Sequence, residues 1–355
     1  MNMITPRTLH ATFTSRRLEF RQPVHTSRGE MLNHNVFFVQ LSDGKRKGFG
    51  EAAPLPGLSP ENAETFETNL QSSCNAINDG RLEAVLEEEN SPAIRFAVET
   101  AIKSLGSDPW HSLSGDKFET GYGIPINGLV WMSDSSTMLK QALYKAEQGF
   151  DCIKFKVGAL DFDEECRMLE SFRKQFNAFK TEIRLDANGA FSPGEALEKM
   201  KEFSRFEIHS IEQPVAVRQW ELMAELCHEQ PISVALDEEL IGLNAVKEGQ
   251  QMLQLIRPGW LILKPTLLGG TEAGNRWIEL ANSLGIGWWA TSALESNLGL
   301  NAIAHWIAEK NVRICQGLGT GELYRNNLRS SLIVEKGMLK FDSESTWEDP
   351  DTPGD

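Results

Sequence analysis

The stretch Cys152-Ile153-Lys154-Phe155-Lys156-Val157 reads as a β-strand, with Ile153, Phe155 and Val157 alternating with two lysines, and a helical stretch follows it. The same unit recurs along the chain. Ile126 to Met132, Glu182 to Asp186, Ser210 to Glu212, Ser233 to Leu236, Leu261 to Lys264, Gly287 to Ala290 and Arg313 to Cys315 are short β-rich runs separated by helical stretches. Strands alternating with helices specify a parallel sheet, because parallel neighbours cannot be joined by a tight hairpin. Over roughly 200 residues such a series makes either an open doubly wound sheet or a closed barrel. No G-x-G-x-x-G follows the first strand, which disfavours the dinucleotide-binding version and favours the barrel.

Outward from this core the pattern changes. In the first hundred or so residues Leu9 to Phe20 alternates, Val36 to Leu41 is β-rich, and Gly48 to Ala53 is expected to pair with it before the turn-rich Pro54-Leu55-Pro56-Gly57. Ser59-Pro60-Glu61-Asn62 is expected to start a helix, with proline in the first turn and an acid near the positive end. Ala93 to Leu105 reads as a second, amphipathic helix. Strands followed by helices suggest an α+β module of its own, and Gly106 to Gly123, rich in Gly, Ser, Asp and Pro, is the expected linker. At the other end Leu332 to Phe341 is strand-like and expected to return to the N-terminal module, with the final ten or so residues frayed.

Charged or polar residues recur at strand ends. Lys156, Asp186, Glu212, Asp237, Lys264 and Ser292 are separated by 30, 26, 25, 27 and 28 residues, each the length of one strand-helix unit. In a barrel the carboxyl ends of the strands converge on one mouth, so five charges would meet there. Three carboxylates gathered without cations would raise one another's pKa values, and a divalent metal resolves this. Oxygen-only ligands suit a hard cation, so Asp186, Glu212 and Asp237 are the expected ligands of Mg²⁺, with Mn²⁺ as a substitute. Residues two apart on a strand share a face, which groups Lys154 with Lys156 and Arg184 with Asp186 and Asn188, and sets a second layer of cations beneath the metal layer. Neighbouring positive charge lowers a lysine pKa, so Lys156 is the candidate base. His209, offset by three from Glu212, reads as structural, and the tryptophans, Trp288 and Trp289 among them, as packing. Gly317-Leu318-Gly319-Thr320-Gly321 offers backbone N–H groups to an anion at the same mouth.

Composition narrows the partners. With 35 basic and 50 acidic side chains the 355-residue chain has a formal charge of −15, which disfavours nucleic acid and anionic membranes. The 5 cysteines are scattered and form no C-x-x-C pair, which points to a reducing cytoplasm rather than a disulfide framework or zinc site. Met1 to Gln22 has no apolar core of a signal peptide, and the apolar Trp260 to Gly270 is broken by Lys264, Pro265 and Gly269, so no bilayer span is expected.

These residues resemble the muconate-lactonising subgroup of the enolase superfamily. The likeness is carried by Ile153-Lys154-Phe155-Lys156-Val157-Gly158, Arg184-Leu185-Asp186-Ala187-Asn188-Gly189, Ile211-Glu212-Gln213-Pro214, Asp237-Glu238 and Leu263-Lys264-Pro265, and Gly50-Glu51-Ala52-Ala53-Pro54-Leu55-Pro56-Gly57 resembles the capping-domain loop of the same proteins. The resemblance implies an α/β fold, a (β/α)7β TIM-like barrel over 119–324 with an N-terminal α+β capping domain over 1–118, completed by part of 325–355. It implies that Lys156 removes a proton alpha to a carboxylate to give an enediolate, that Lys264 stabilises the anion from the opposite side, and that Lys154 and Arg184 tune the base. Leu263 to Gly270, Thr291-Ser292-Ala293-Leu294-Glu295-Ser296 and Gly317 to Gly321 are most similar to the branch that forms o-succinylbenzoate in menaquinone biosynthesis, which implies dehydration of a small anionic cyclohexadiene carboxylate. Asn188, Ser292 and Gly319 are the expected substrate-binding residues, and Thr26 to Met31 and Pro54 to Leu58 the expected lid. Racemisation of N-acylamino acids or epimerisation of dipeptides by the same machinery, and a non-catalytic barrel that only binds, are the alternatives. Gly319-Thr320-Gly321 stands where dipeptide epimerases carry a D-x-D, and it brings no acid to hold a substrate amine.

Overall fold

The computed structural model describes residues 9–26, 29–88, 90–113 and 117–351. The chain begins with three antiparallel strands, β1 (His10–Thr26), β2 (Gly29–Ser42) and β3 (Lys47–Ala52), in the order β1-β2-β3, followed by α1 (Phe66–Asn78), α2 (Leu82–Glu87) and α3 (Pro92–Gly106). Both faces of this sheet are covered, which is why Val36-Phe37-Phe38-Val39 is apolar throughout instead of alternating. Phe37, Val39 and Leu41 pack under α1 and α3, whereas Val36 and Phe38, with Leu18, Phe20 and Phe49, pack against Leu298, Tyr324 and Leu328 of the second half of the chain. Gly48 and Gly50 let α3 lie directly on β3, since a Cβ at Gly50 would stand 1.9 Å from the Ala97 carbonyl oxygen.

One expectation fails here. The helix does not start at Pro60 but at Phe66. The Asn62 side chain accepts the Glu64 N–H and closes a turn, and Glu61 is turned away to accept the Ala93 N–H at the start of α3 (2.7 Å). The polar segment therefore serves a different helix from the one it precedes.

Strands and helices then alternate. After β4 (Ile124–Pro125) come β5 (Gly128–Val130), α4 (Ser135–Glu147), β6 (Cys152–Lys156), α5 (Phe162–Gln175), β7 (Glu182–Asp186), α6 (Ala196–Ser204), β8 (Ser210–Glu212) and α7 (Trp220–Glu229). β9 (Ser233–Leu236), α8 (Gln250–Ile256), β10 (Trp260–Leu263), α9 (Pro265–Leu268), α10 (Thr271–Leu284), β11 (Gly287–Ala290) and α11 (Asn297–Lys310) complete the series. β5 to β11 form one parallel sheet of 7 strands in sequence order. Outward residues such as Ile153, Phe155, Ile183, Leu185 and Ile211 join the buried cluster under the helices, which leaves the alternate, polar residues facing in.

The run Arg313 to Cys315 is not a strand; pairing begins one residue later. Gln316 bridges Ile126 and Gly317 bridges Thr291, both in parallel. Gln316 donates to the Pro125 carbonyl of β4 and Gly317 to the Ala290 carbonyl of β11, so this short segment bonds to β11 on one side and to the residues just before β5 on the other. The hairpin β12 (Leu332–Glu335) and β13 (Met338–Phe341) pairs with β4 rather than with the N-terminal sheet. The return to that sheet is made instead by Tyr324, bridged to Phe20, and by the tail. Glu348 pairs with Arg16, Asp351 pairs with Lys47, and Trp347 meets Trp110 edge-on, so 347–351 is tied down rather than frayed, while 352–355 lie outside the described residues. The described residues of the expected linker, all but 114–116, include packed ones: Trp110 meets Phe49 edge-on and Phe118 is buried. No helix among the described residues is long and apolar enough to cross a membrane.

Candidate active site

The register of the parallel sheet sets side chains in tiers. Lys156 is level with Asp186 and Asp186 with Glu212, while Lys154 is level with Arg184 one tier lower. Asp237 follows β9, and Lys264 follows β10, four strands round from β6. All of these side chains are buried or nearly so, although charged residues seldom are.

The Lys156 ammonium donates to Asp186 Oδ2 at 3.1 Å and to Asn188 Oδ1 at 2.6 Å. Lys154 does not remain in a lower tier. Its long side chain reaches up to Asp186 Oδ2 at 2.9 Å and to Glu212 Oε2, so its ammonium bridges two carboxylates. Lys264 pairs with Asp237 Oδ2. Burial pushes Lys154 and Lys264 down, but the facing carboxylates outweigh it and hold both above the usual lysine range. The same attraction works on Asp186, where burial is overcome by Lys154 and Lys156 and the carboxyl is held well below its ordinary value. Burial and the nearby Asp186 raise Glu212. Glu212 Oε1 is buried with no hydrogen-bond partner.

No three Asp, Glu, His or Cys side chains among the described residues stand close enough to clasp one metal ion. The ammonium groups of Lys154 and Lys264 lie against the carboxylate oxygens that such an ion would take. The gathering of charge expected from the sequence is present, with amines between the acids.

Arg184 is not brought to the lysines. Its Nε donates to Glu182 at 2.7 Å, its Nη1 donates to the Cys315 carbonyl at 2.9 Å, and its guanidinium lies 4.0 Å from the Trp289 ring centre. His209 sits at this same lower end, against Trp260 and 3.7 Å from Glu182, away from the cavity as expected.

A cavity opens above the upper tier. Lys154, Lys156, Asp186, Asn188, Glu238 and Lys264 line it on one side, Ser292, Gly319 and Thr320 on another, and the Ser292 and Thr320 hydroxyls are hydrogen-bonded at 2.5 Å. From the expected lid, Met31, Leu55, Pro56 and Leu58 reach the wall, while Ser27 and Arg28 lie outside the described residues. Leu129, Trp131 and Leu294 add apolar surface.

Sequence reasoning missed Glu238. Asn188, at a positive φ of 44°, accepts from Lys156 and donates from Nδ2 to Glu238 Oε1 at 2.9 Å, which leaves Glu238 Oε2 buried and unpartnered beside the cavity. Burial, then repulsion from Asp237, holds the Glu238 carboxyl above its ordinary range. The signal was the run Asp237-Glu238-Glu239, in which Glu239 is consumed by Arg218, Trp220 and Gln213.

Comparison with known proteins places the chain as a whole in a family. Residues 137–354 match the family model of the enolase C-terminal domain-like proteins, and residues 15–105 match that of the MenC N-terminal domain. An o-succinylbenzoate synthase of Desulfotalea psychrophila is 42% identical, with 91% of this chain and 96% of that relative covered. One of Thermosynechococcus vestitus is 25% identical over 85% of this chain and 88% of that relative. The crystal structure of MenC from Desulfotalea psychrophila superposes with a TM-score of 0.81 at 39% identity, over 94% of this chain and 99% of that one. The L-Ala-D/L-Glu epimerase of Bacillus subtilis superposes with a TM-score of 0.82 at 18% identity, over 94% and 96% of the two chains, which is a likeness of fold alone.

Proposed function

We infer the chemistry of this site from the family to which the chain belongs, the o-succinylbenzoate synthases of the enolase superfamily. The chain is an o-succinylbenzoate synthase, a hydro-lyase that converts 2-succinyl-6-hydroxy-2,4-cyclohexadiene-1-carboxylate to o-succinylbenzoate in menaquinone biosynthesis. The fold we propose is a (β/α)7β barrel over 119–324, closed by Gln316 and Gly317, with a capping domain over 1–118 that is completed by part of 325–355. A small anionic carboxylate is the substrate, and the cytoplasm is the compartment we assign.

The observation that carries the residue roles is that Lys156 and Lys264, on strands four apart, both line one cavity and each contacts a carboxylate. Asp186, Glu212 and Asp237 would hold Mg²⁺ once Lys154 and Lys264 give up the carboxylate oxygens they now meet: the donors are all oxygen, and the buried Glu212 Oε1 has an unused lone pair. The ion, when bound, would supply Lewis-acid stabilisation of negative charge on the substrate carboxylate. Lys156, as free amine, takes the proton alpha to that carboxylate. The same group, now an ammonium, returns a proton to the departing hydroxyl as the carbon–oxygen bond breaks, so water leaves and the ring becomes aromatic. Asn188 fixes the direction of the Lys156 amine. Lys264 faces the developing anion from the other side and lowers its energy without moving a proton. Lys154 orients Asp186 and Glu212, whereas Arg184 is engaged by Glu182, the Cys315 carbonyl and Trp289 and takes no direct part. Ser292 and the Gly319 backbone bind the substrate's carboxylates, and Met31 and Leu55 to Leu58 shield the enediolate from water.

Purified protein with Mg²⁺ is expected to consume the cyclohexadiene substrate with appearance of the aromatic product. Absence of that activity together with α-proton exchange in N-succinyl amino acids would assign the site to racemisation instead.

A further inference from the structure

The end of β3 sends one acid out of its own module. Glu51 is fully buried, with 0% exposure. One oxygen accepts the Ser296 N–H at 2.7 Å, and the other accepts the Gly299 N–H at 2.7 Å and the Ser296 hydroxyl. These donors belong to the first turn of α11, the positive end of that helix. Beside them Glu295 accepts the Ala293 N–H at 2.7 Å and the Thr266 hydroxyl, and the Leu294 carbonyl accepts from Tyr324 at 2.6 Å. Ser292, Ala293 and Leu294 form part of the cavity wall. A wall of the cavity is therefore held from behind by a carboxylate that belongs to the N-terminal sheet.

We propose that Glu51 is a positioning residue: it holds the Ser292–Leu294 wall against the N-terminal module and so sets substrate affinity, without contact with the lysines or the metal ligands. The proposal rests on the reading of this cavity as the substrate site. A carboxylate is the group the geometry requires, since two acceptor oxygens meet three donors, whereas a glutamine amide would set an N–H against an N–H or leave a donor unpaired. Gly299 keeps the place open, because a Cβ there would stand 3.1 Å from the Glu51 carboxylate and 2.7 Å from the Glu295 side chain.

The test uses the full-length protein with Mg²⁺ and the variants Glu51→Gln and Gly299→Ala, which disturb the contact from its two sides. In each, KM for the cyclohexadiene substrate should rise about tenfold while kcat and Mg²⁺ affinity stay within about threefold. Backbone amides of residues 292–299 should exchange hydrogen faster, and those of 152–156 and 182–186 should not. If Glu51 only holds the fold together, melting temperature and active fraction fall with KM unchanged, and that result overturns the proposal. Should Glu51→Gln fail to fold, Gly299→Ala decides by the same measurements. Should the wild type fail to turn over this substrate, the functional reading falls, while unchanged exchange across 292–299 in the variants would still separately refute the role of Glu51.

Discussion

The two ends of the same inward-facing strands carry buried charge to opposite effect. At the lower end Arg184 is spent on Glu182, a carbonyl and the face of Trp289, with only its Nη2 left without a partner and with His209 and Trp260 packed alongside. At the upper end Lys154 is shared between two acids, Asp186 between two lysines, Glu212 keeps a buried oxygen that no donor reaches, and the unpartnered oxygen of Glu238 lies beside an open cavity. Charges that are individually matched and packed hold strands together. Charges that share partners around a space remain available for a ligand, at a cost in stability that the rest of the fold must carry.

Substitutions at the two ends should therefore separate activity from stability. The largest effect is expected from Lys156→Ala, with kcat lowered by about 10³-fold or more and Mg²⁺ binding by calorimetry unchanged. Retention of most turnover would remove the distinction between the tiers. At the lower end Arg184→Met should cost about 3 kcal/mol in denaturant unfolding, because it removes the charged hydrogen bonds to Glu182 and the Cys315 carbonyl and the guanidinium from the face of Trp289; a loss of kcat approaching that of Lys156→Ala, with stability intact, would break the comparison. Asp237→Asn should weaken Mg²⁺ affinity by roughly 10²-fold in the same titration, since it also frees Lys264 from its partner.

A further effect is one of pH. Burial pushes the Glu51 carboxyl up to about 7, against ~4.3 in an unfolded chain. A raised folded value stabilises most fully below the unfolded pKa, and the contribution is lost as pH rises through 7, at up to ~1.4 kcal/mol per pH unit. Unfolding free energies measured across pH 5 to 7, taken as wild type minus Glu51→Gln, should therefore decline, and a flat difference would show that the carboxylate is as well solvated by its donors as by water.

The strand-helix alternation was legible because its period is local: each apolar run and each charged strand end is written in adjacent residues. Lys156, Asp186, Glu212, Asp237 and Lys264 could be paired in advance because the repeat length brings strand ends to one level. What could not be read was the reach of side chains. Lys154 and Arg184 occupy the same tier, yet one extends upward to Asp186 and the other turns to Trp289, a choice made by neighbours far away in sequence. The same holds for Glu61 and Glu51, whose partners are helix N-termini 32 and 245 positions away. The short bridging segment at Gln316 and Gly317 lies just beyond the expected run Arg313 to Cys315, because glycine next to glutamine has no β-rich pattern to mark it.

The doubly covered N-terminal sheet has a bearing on biosynthesis. One face is complete once α3 has been made, but Val36, Phe38 and Phe49 meet Leu298, Tyr324 and Leu328 only when nearly the whole chain has emerged. At ~10 residues per second a ribosome leaves that face bare for roughly half a minute. During that interval the nascent polypeptide presents an adhesive surface to chaperones and to other nascent copies, so the yield of soluble enzyme should depend on translation speed more strongly than on the stability of the finished molecule.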